Sequence, residues 1–421
     1  MTAPWNLLTG RGWALLVFGI AGIIAGISIG QREVLWVAVA LVLLPIVGLV
    51  GVTRSGLRLK AERRVTPPRG ILGETLAGAL TVTNRGSFPL AVLRFEESLP
   101  RELGRRPRFT MHTVAGKWRR TVHYPLVGSA RGRYTVGPLL VRASDPFGLA
   151  RLDRRFSSTT QVLVTPRIVP LDVMASAPGS GQTGDSTPRR IGLVGQDDVL
   201  IREYRDGDDV RRIHWRSTAR RDEIMVRREE QSWDPSLTLL LDSRIQAHAG
   251  TGPESSFEWA VSAVASIARH MQRADYTVRI VDAAGMLIDT GGMDPASAED
   301  GVLLALTDAA LTPGDPDLRL ATETITFGKS GEMMIAVLGR LTRADVAAMQ
   351  TMRQSRSQGL AIVLDVDSFT ARRFRATPEQ IEEHQECLAA LAAGTWRVVP
   401  VRHPMDVDEA WHQLDQIGAS L

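Results

Sequence analysis

Two long uncharged runs near the N-terminus constrain this chain more than any other feature of it. Trp13 to Ile29 carries no charged residue over roughly 17 positions, and Val34 to Val52 none over about 19, both within the range that spans hydrocarbon. At about 1.5 Å per helical residue they reach about 26 and 29 Å, against a hydrocarbon core near 30 Å. Only Gly30-Gln31-Arg32-Glu33 separates them, so the runs form an antiparallel hairpin whose two ends lie on one side. Gly19, Gly22 and Gly26 thin one face of the first helix, and the Gly22/Gly26 spacing lets the second helix approach closely. Arg11 precedes the first run, and Arg54, Arg58, Lys60, Arg63 and Arg64 follow the second, whereas the link holds a single Arg. The positive-inside rule puts both ends in the cytoplasm. The expectation is a multi-pass protein of the bacterial inner membrane with cytoplasmic soluble domains; a cleaved signal peptide does not account for the second run. Neither run contains an ionisable residue that marks a transport path.

The chain has 421 residues, too many for one ordinary core, so two or three domains are expected. Its 44% hydrophobic and 23% charged residues belong to a globular chain and not a disordered one. A formal net charge of only +4 does not choose between nucleic acid, anionic lipid and neither. The lone Cys387 excludes an internal disulfide or a Cys-based metal site and reads as a small buried hydrophobe.

After the hairpin (1–56), residues 57–170 read as an antiparallel β-sandwich. Short alternating runs, such as Leu76 to Thr83, Thr121 to Leu126, Tyr134 to Val136, Leu139 to Ala143 and Val162 to Val164, are separated by Gly, Pro and Asn, the punctuation of a small sandwich. Asp145-Pro146-Phe147-Gly148 is turn chemistry. The arginines from Arg101 to Arg108 read as a solvated loop. Residues 171–190 include the small polar stretch Ala175 to Thr187, which cannot bury enough surface to order itself and reads as a flexible linker.

The densest polar block lies in 191–235, from Arg202 to Arg220 and on to Glu230. Asp206-Gly207 is a turn, and Asp208 is placed as an N-cap with Asp209 in the first turn. Val210, Ile213 and Ser217 then share a helical stripe with His214 beside it. Alternating carboxylates and guanidiniums suit either an internal ion-pair network or a surface that grips a charged partner; Trp215 adds an aromatic anchor of the kind found in binding hot spots. His214 with Asp208 or Asp209 also supplies residue types for acid–base work, although no Ser or Cys nucleophile stands in a nucleophile-elbow context.

This block resembles the signature of the domain-of-unknown-function 58 family. The family's Arg-x-Tyr-x-x-Gly-Asp-Asp-x-Arg-x-Ile-His-Trp-x-x-Ser/Thr-Ala-Arg core runs here from Arg202 to Arg220, and its Val-Arg-x-x-Glu tail from Val226 to Glu230. Gly132-x-Tyr134-x-x-Gly137-Pro138, Asp145 to Gly148 and the N-terminal hairpin resemble the same family. The resemblance implies a partner, a cytoplasmic AAA+ ATPase of the MoxR type.

Residues 236–421 alternate between strand and helix patterns. Leu237 to Leu241, Thr277 to Val281, Met333 to Leu338, Leu360 to Leu364 and Trp396 to Val401 read as strands. Phe257 to Arg273, Ala298 to Ala310, Arg343 to Gln354, Glu379 to Ala393 and Val407 to Ile417 read as helices. That order predicts a parallel sheet with helices on both faces. The family resemblance implies that this domain is similar to a von Willebrand factor A domain, a Rossmann-like fold that often holds a divalent ion through Asp-x-Ser-x-Ser. Here the positions read Asp242-Ser243-Arg244-Ile245-Gln246, and a guanidinium repels Mg²⁺, so no metal is expected and Asp242 becomes a remnant or the ion-pair partner of an Arg. Gly328-Lys329-Ser330 lacks the upstream Gly of a phosphate loop.

These observations converge on a membrane-anchored, non-catalytic interaction and assembly protein without a cofactor. Its expected interaction residues are Arg202, Tyr204, Asp208, Asp209, Arg211, His214, Trp215, Arg220 and Arg227; its partners are the ATPase and the bilayer, with no nucleic acid expected. A hydrolase using His214 with Asp208 or Asp209 is the alternative. Electrostatic binding of nucleic acid or lipid through the Arg-rich segments is a third, marked by steep salt dependence.

Overall fold

The computed structural model describes residues 7–54, 59–84, 92–112, 117–173, 199–203, 215–221, 223–229, 235–313, 317–326, 333–353, 358–371, 376–394 and 396–419. The N-terminal runs form two helices long and apolar enough to cross a membrane, α1 (Gly10–Ile29) and α2 (Arg32–Arg54). Thr9 caps α1 by accepting from the Gly12 N–H at 3.3 Å, and Gly30 ends it at φ +71°, a left-handed conformation that suits a residue without a Cβ. The connection is shorter than the sequence pattern predicts, because Arg32 and Glu33 already belong to α2. A Cβ on Gly19 would fall 2.6 Å from Val42 Cγ2, and one on Gly22 3.0 Å from Ala38 Cβ; the small residues set the interhelical distance. Most apolar side chains of the hairpin face outward, with Phe18 71% and Trp36 73% exposed.

The foot of the hairpin is clipped to the domain that follows. The Thr9 N–H donates to the Leu149 carbonyl at 2.8 Å and its hydroxyl to the Gly148 carbonyl at 2.7 Å. Gly12 packs against the Leu149 carbonyl, and Gly48 of α2 lies against the Asp145 carboxylate. Asp145 in turn accepts from the Phe147 and Ala150 N–H groups at 3.0 and 2.6 Å. The turn expected at Asp145 to Gly148 is therefore also the seat on which the hairpin rests.

Among the described residues ten strands follow: β1 (Leu59–Thr66), β2 (Arg69–Ile71), β3 (Thr75–Asn84), β4 (Val92–Glu97), β5 (Arg108–His112), β6 (Trp118–Val127), β7 (Gly132–Val136), β8 (Leu139–Ser144), β9 (Arg151–Phe156) and β10 (Thr160–Thr165). They form sheets β1-β3-β6, β2-β10-β7 and β5-β4-β8-β9 around one core that includes Leu76, Leu80, Phe95, Leu126, Val141 and Val162. The expectation of a purely antiparallel sandwich is corrected in one place: β2 pairs with β10 in parallel. Pro67 and Pro68 lack the N–H needed to prolong the β1 ladder, so the chain leaves that sheet and Arg69–Ile71 pairs along the edge of β10.

Within 199–229 the described elements are β11 (Val199–Glu203), α3 (Trp215–Arg221) and β12 (Met225–Glu229). The expected linker at 171–190 lies outside the described residues from position 174 onward.

The C-terminal unit is a six-stranded sheet in the order β15-β14-β13-β16-β17-β18, built from β13 (Ser236–Leu241), β14 (Thr277–Asp282), β15 (Gly285–Asp289), β16 (Met333–Leu338), β17 (Gln358–Leu364) and β18 (Trp396–Val401). Alternate residues of the strands feed two cores. Leu239, Ile280, Ile335 and Ile362 pack with α4 (Ser256–Arg273), α5 (Pro295–Asp308) and α9 (Val407–Ala419). Leu240, Ala336 and Val363 pack with α6 (Arg319–Thr326), α7 (Arg343–Arg353) and α8 (Pro378–Ala393). Helices thus cover both faces, as the continuous apolar strands require. The expected all-parallel sheet gains one antiparallel edge strand, β15, which returns from β14 through Ala283-Ala284 with Gly285 at φ +119°, a hairpin too short for a crossover helix.

Charge segregates between the two units. Residues 57–170 hold 21 Lys and Arg against 7 Asp and Glu, whereas residues 236–421 hold 15 against 25. The junction uses that asymmetry: Arg69 pairs with Asp300, Arg133 with Asp308 and Arg167 with Asp406 at 2.8, 2.8 and 2.9 Å. Arg131 is buried there, bonded to Glu258 and the Leu306 carbonyl, with its guanidinium 5.2 Å from the Phe257 ring centroid.

Candidate functional site

Two regions attract attention: the polar block and the carboxyl end of the six-stranded sheet. In the block, β11 and β12 pair antiparallel with Arg202 opposite Val226 and Arg227 opposite Ile201. Between them α3 carries Trp215, 71% exposed, and an exposed Arg220. The Thr218 hydroxyl accepts from the Met225 N–H at 3.0 Å and so ties α3 to β12, whose first side chain is buried. Ile224, 49% exposed, adds apolar surface beside the tie. Tyr204, Asp208, Asp209, Arg211 and His214, together with the helix start expected at Asp208, lie outside the described residues, as does Gly328-Lys329-Ser330.

The carboxyl end of an open α/β sheet, where the strand order reverses, is where such folds place ligands. Here the reversal falls between β13 and β16, because β13 leads to β14 on one side and the later strands extend on the other. Asp242 follows β13 and Gly339 follows β16, and the Gly339 N–H donates to Asp242 Oδ2 at 3.2 Å. Into this crevice the chain inserts its own cation. Arg244 Nε and Nη2 donate to Asp242 Oδ1 and Oδ2, both at 2.9 Å, while Nη1 and Nη2 reach Asp345 Oδ1 and Oδ2 at 2.7 and 3.1 Å. The ion-pair partner expected for Asp242 is thus Arg244, two residues on. Arg244 is 3% exposed and Asp242 fully buried, so the guanidinium is sealed in.

The electrostatics follow from that closure. Burial alone raises a carboxyl group, but the Arg244 hydrogen bonds and charge outweigh it and hold Asp242 below the usual carboxylate range,. Burial opposes the charge on Arg244 as well, and its two carboxylate partners overcome it, raising the guanidinium further above its ordinary value. His248 packs next to the pair: Nε2 lies 2.6 Å from the Asp242 carbonyl and must donate to it, and Nδ1 lies 3.1 Å from the Ser256 hydroxyl. Burial pushes His248 below the ordinary histidine value, against the pull of Asp242. Around the same edge Arg340 pairs with Asp367 and Arg402 with Asp365, each at 2.9 Å.

Asp345 and His248 are the site residues that sequence reasoning missed. Thr342-Arg343-Ala344-Asp345 is a helix-start pattern, and Asp345 Oδ2 does accept from the Thr342 N–H at 2.9 Å,. The same carboxylate grips Arg244, a role that nothing local in the sequence announces. Among the described residues no group of three or more His, Cys, Asp or Glu is arranged to hold a metal ion.

A family model described as protein of unknown function DUF58 matches residues 200–326. The uncharacterized protein YeaD of Bacillus subtilis (strain 168) is 26% identical over 215 residues, 49% of this chain and 52% of that protein; the match spans about half the length of this relative. Among solved structures, the CARDB domain of the PF1109 protein from Pyrococcus furiosus is 14% identical, over 25% of this chain and 91% of that one, with a TM-score of 0.19. A β-glucosidase from Listeria innocua is 14% identical, over 25% of this chain and 16% of that one, with a TM-score of 0.16. Likeness at that level bears on neither fold nor chemistry.

Proposed function

Because this chain belongs to the DUF58 family, we propose that it is a membrane-anchored, non-catalytic interaction and assembly protein that works with a cytoplasmic AAA+ ATPase of the MoxR type. The observation that carries this is Trp215, an indole 71% exposed within the family's signature, on a short segment that also exposes Arg220 and Ile224. An exposed indole, with a guanidinium and an aliphatic side chain exposed within the next nine residues, has the residue types of a binding hot spot. The outward-facing apolar surface of α1 and α2 supports the anchor, since that much hydrocarbon is costly to leave in water. The strand order and two-faced helical cover support a von Willebrand factor A-like unit, with Arg244 in the crevice that would hold its metal.

The test is co-purification from membranes. Wild-type protein is expected to retain an AAA+ ATPase and, once stripped of it, to hydrolyse no ATP. The Trp215→Ala, Arg220→Glu double variant is expected to lose the ATPase at an unchanged melting temperature. Retention by the double variant overturns the contact surface. Hydrolase activity of the purified chain that vanishes in His214→Ala, at unchanged stability, makes it an enzyme instead.

A further inference from the structure

We propose that the end of the β-rich unit beside the hairpin is a docking surface for anionic phospholipid headgroups; this rests on the hairpin spanning a bilayer. Strand pairing places Leu59 opposite Asn84 and Asn84 opposite Trp118, while Val92 stands opposite both His112 and Ser144, and Ser144 opposite Arg151. Each of the two groups of strand ends therefore lies at one end of its own sheet. Each is the hairpin end, because the turn from Ser144 to Arg151 holds the foot of α1 and Leu59 follows Arg54 by five residues, at most about 18 Å of chain.

That end is cationic and carries aromatic groups. Arg11, Lys117, Arg119, Arg120 and Arg151 are exposed there. The nearby carboxylates are already engaged, Glu62 by Lys60 at 2.6 Å and Asp153 by Arg142 at 2.8 Å. Phe147, in the turn that seats the hairpin, is 63% exposed, and Trp13, in the first turns of α1, 42%. Aromatic side chains at this level suit the interfacial zone of a bilayer, and clustered Lys and Arg next to a membrane helix suit anionic headgroups. Arg69, Arg133 and Arg167 of the same unit have a different employment, as ion pairs to Asp300, Asp308 and Asp406. A tether this short holds the cations within a few Debye lengths of the surface, which favours lipid over a nucleic acid arriving from solution.

The full-length protein is reconstituted into nanodiscs of phosphatidylcholine with or without phosphatidylglycerol, and backbone hydrogen exchange is read over Lys117–Arg120 and the Asp145–Ala150 turn. Phosphatidylglycerol is expected to raise protection there roughly tenfold, less at high salt, and Lys117→Glu, Arg119→Glu, Arg120→Glu to abolish the gain without altering exchange in β13 or β16. Equal protection in both lipids, with the chain resistant to carbonate extraction, overturns the docking surface and leaves the membrane hairpin standing. Extraction by carbonate overturns both. Protection induced by an RNA oligonucleotide in phosphatidylcholine discs, and not by phosphatidylglycerol, overturns the lipid assignment in favour of nucleic acid.

Discussion

Asp242 and Arg244, separated by one residue, bind each other through both carboxylate oxygens and two guanidinium nitrogens at 2.9 Å, in the crevice where the sheet reverses its order. The pair is completed by Asp345, 101 residues further along the chain. A fork that matches two carboxylates leaves little room for a Lys or a hydrated ion to do the same work. Arg244→Ala is expected to destabilise the protein by about 3–5 kcal/mol, because it strands two buried carboxylates without their cation. Urea denaturation measures this, and a loss below about 1 kcal/mol would show that the carboxylates find other partners.

Arg244→Ser goes further, because it places a hydroxyl oxygen at the position and removes the guanidinium charge. Millimolar Mg²⁺ or Mn²⁺ is expected to raise the melting temperature of this variant and to leave the wild type unchanged. If neither protein responds, removing the guanidinium does not make the crevice a cation site.

The junction between the β-rich and α/β units is expected to depend on one arginine. Arg131 is buried against Glu258, the Leu306 carbonyl and the Phe257 ring, so Arg131→Ala should cost about 3 kcal/mol and expose the junction to protease. Arg69→Ala, Arg133→Ala and Arg167→Ala remove solvent-exposed pairs and should each be close to wild type, with any difference erased by salt. Comparable losses for all four would show the network acting as a unit.

Stability should fall on mild acidification. Burial, only partly opposed by neighbouring carboxylates or carbonyls, holds His248, His270 and His384 below the ordinary histidine value. A base whose folded value is depressed takes up its proton more readily when unfolded, so its contribution is complete above about pH 6.5 and is lost as pH drops below that. The urea midpoint is expected to decrease between about pH 7.5 and 5.5, with a shallower slope in His248→Gln and His384→Gln. Parallel slopes in all three proteins would clear these histidines.

Much of the fold is legible in the residues, and the exceptions have physical causes. β13, β16, β17 and β18 are apolar runs because the sheet is covered on both faces, and α4 shows its period plainly. α6 does not: Thr322, Thr324 and Thr326 lower its helical propensity, and their hydroxyls bond back to the Leu318, Leu320 and Thr322 carbonyls at 2.6–2.7 Å,. Only Ala321 and Ile325, buried four residues apart, betray it. β15 hides because it is only five residues long, Gly285–Asp289, and follows a tight turn. In the crevice, Asp242 with an arginine partner is an open alternative in the sequence, whereas the identity of that partner as Arg244 and the second carboxylate, Asp345 from another helix, need tertiary structure to be found.

The grip of Leu149 and Gly148 on Thr9 gives the β-rich unit two points of attachment to the hairpin, one through this contact and one through the continuous chain from α2 to β1. A single attachment is a swivel; two make a bracket. Torque applied to the soluble part by anything that pulls on it reaches both helices together instead of being spent in rotation about one strand of chain.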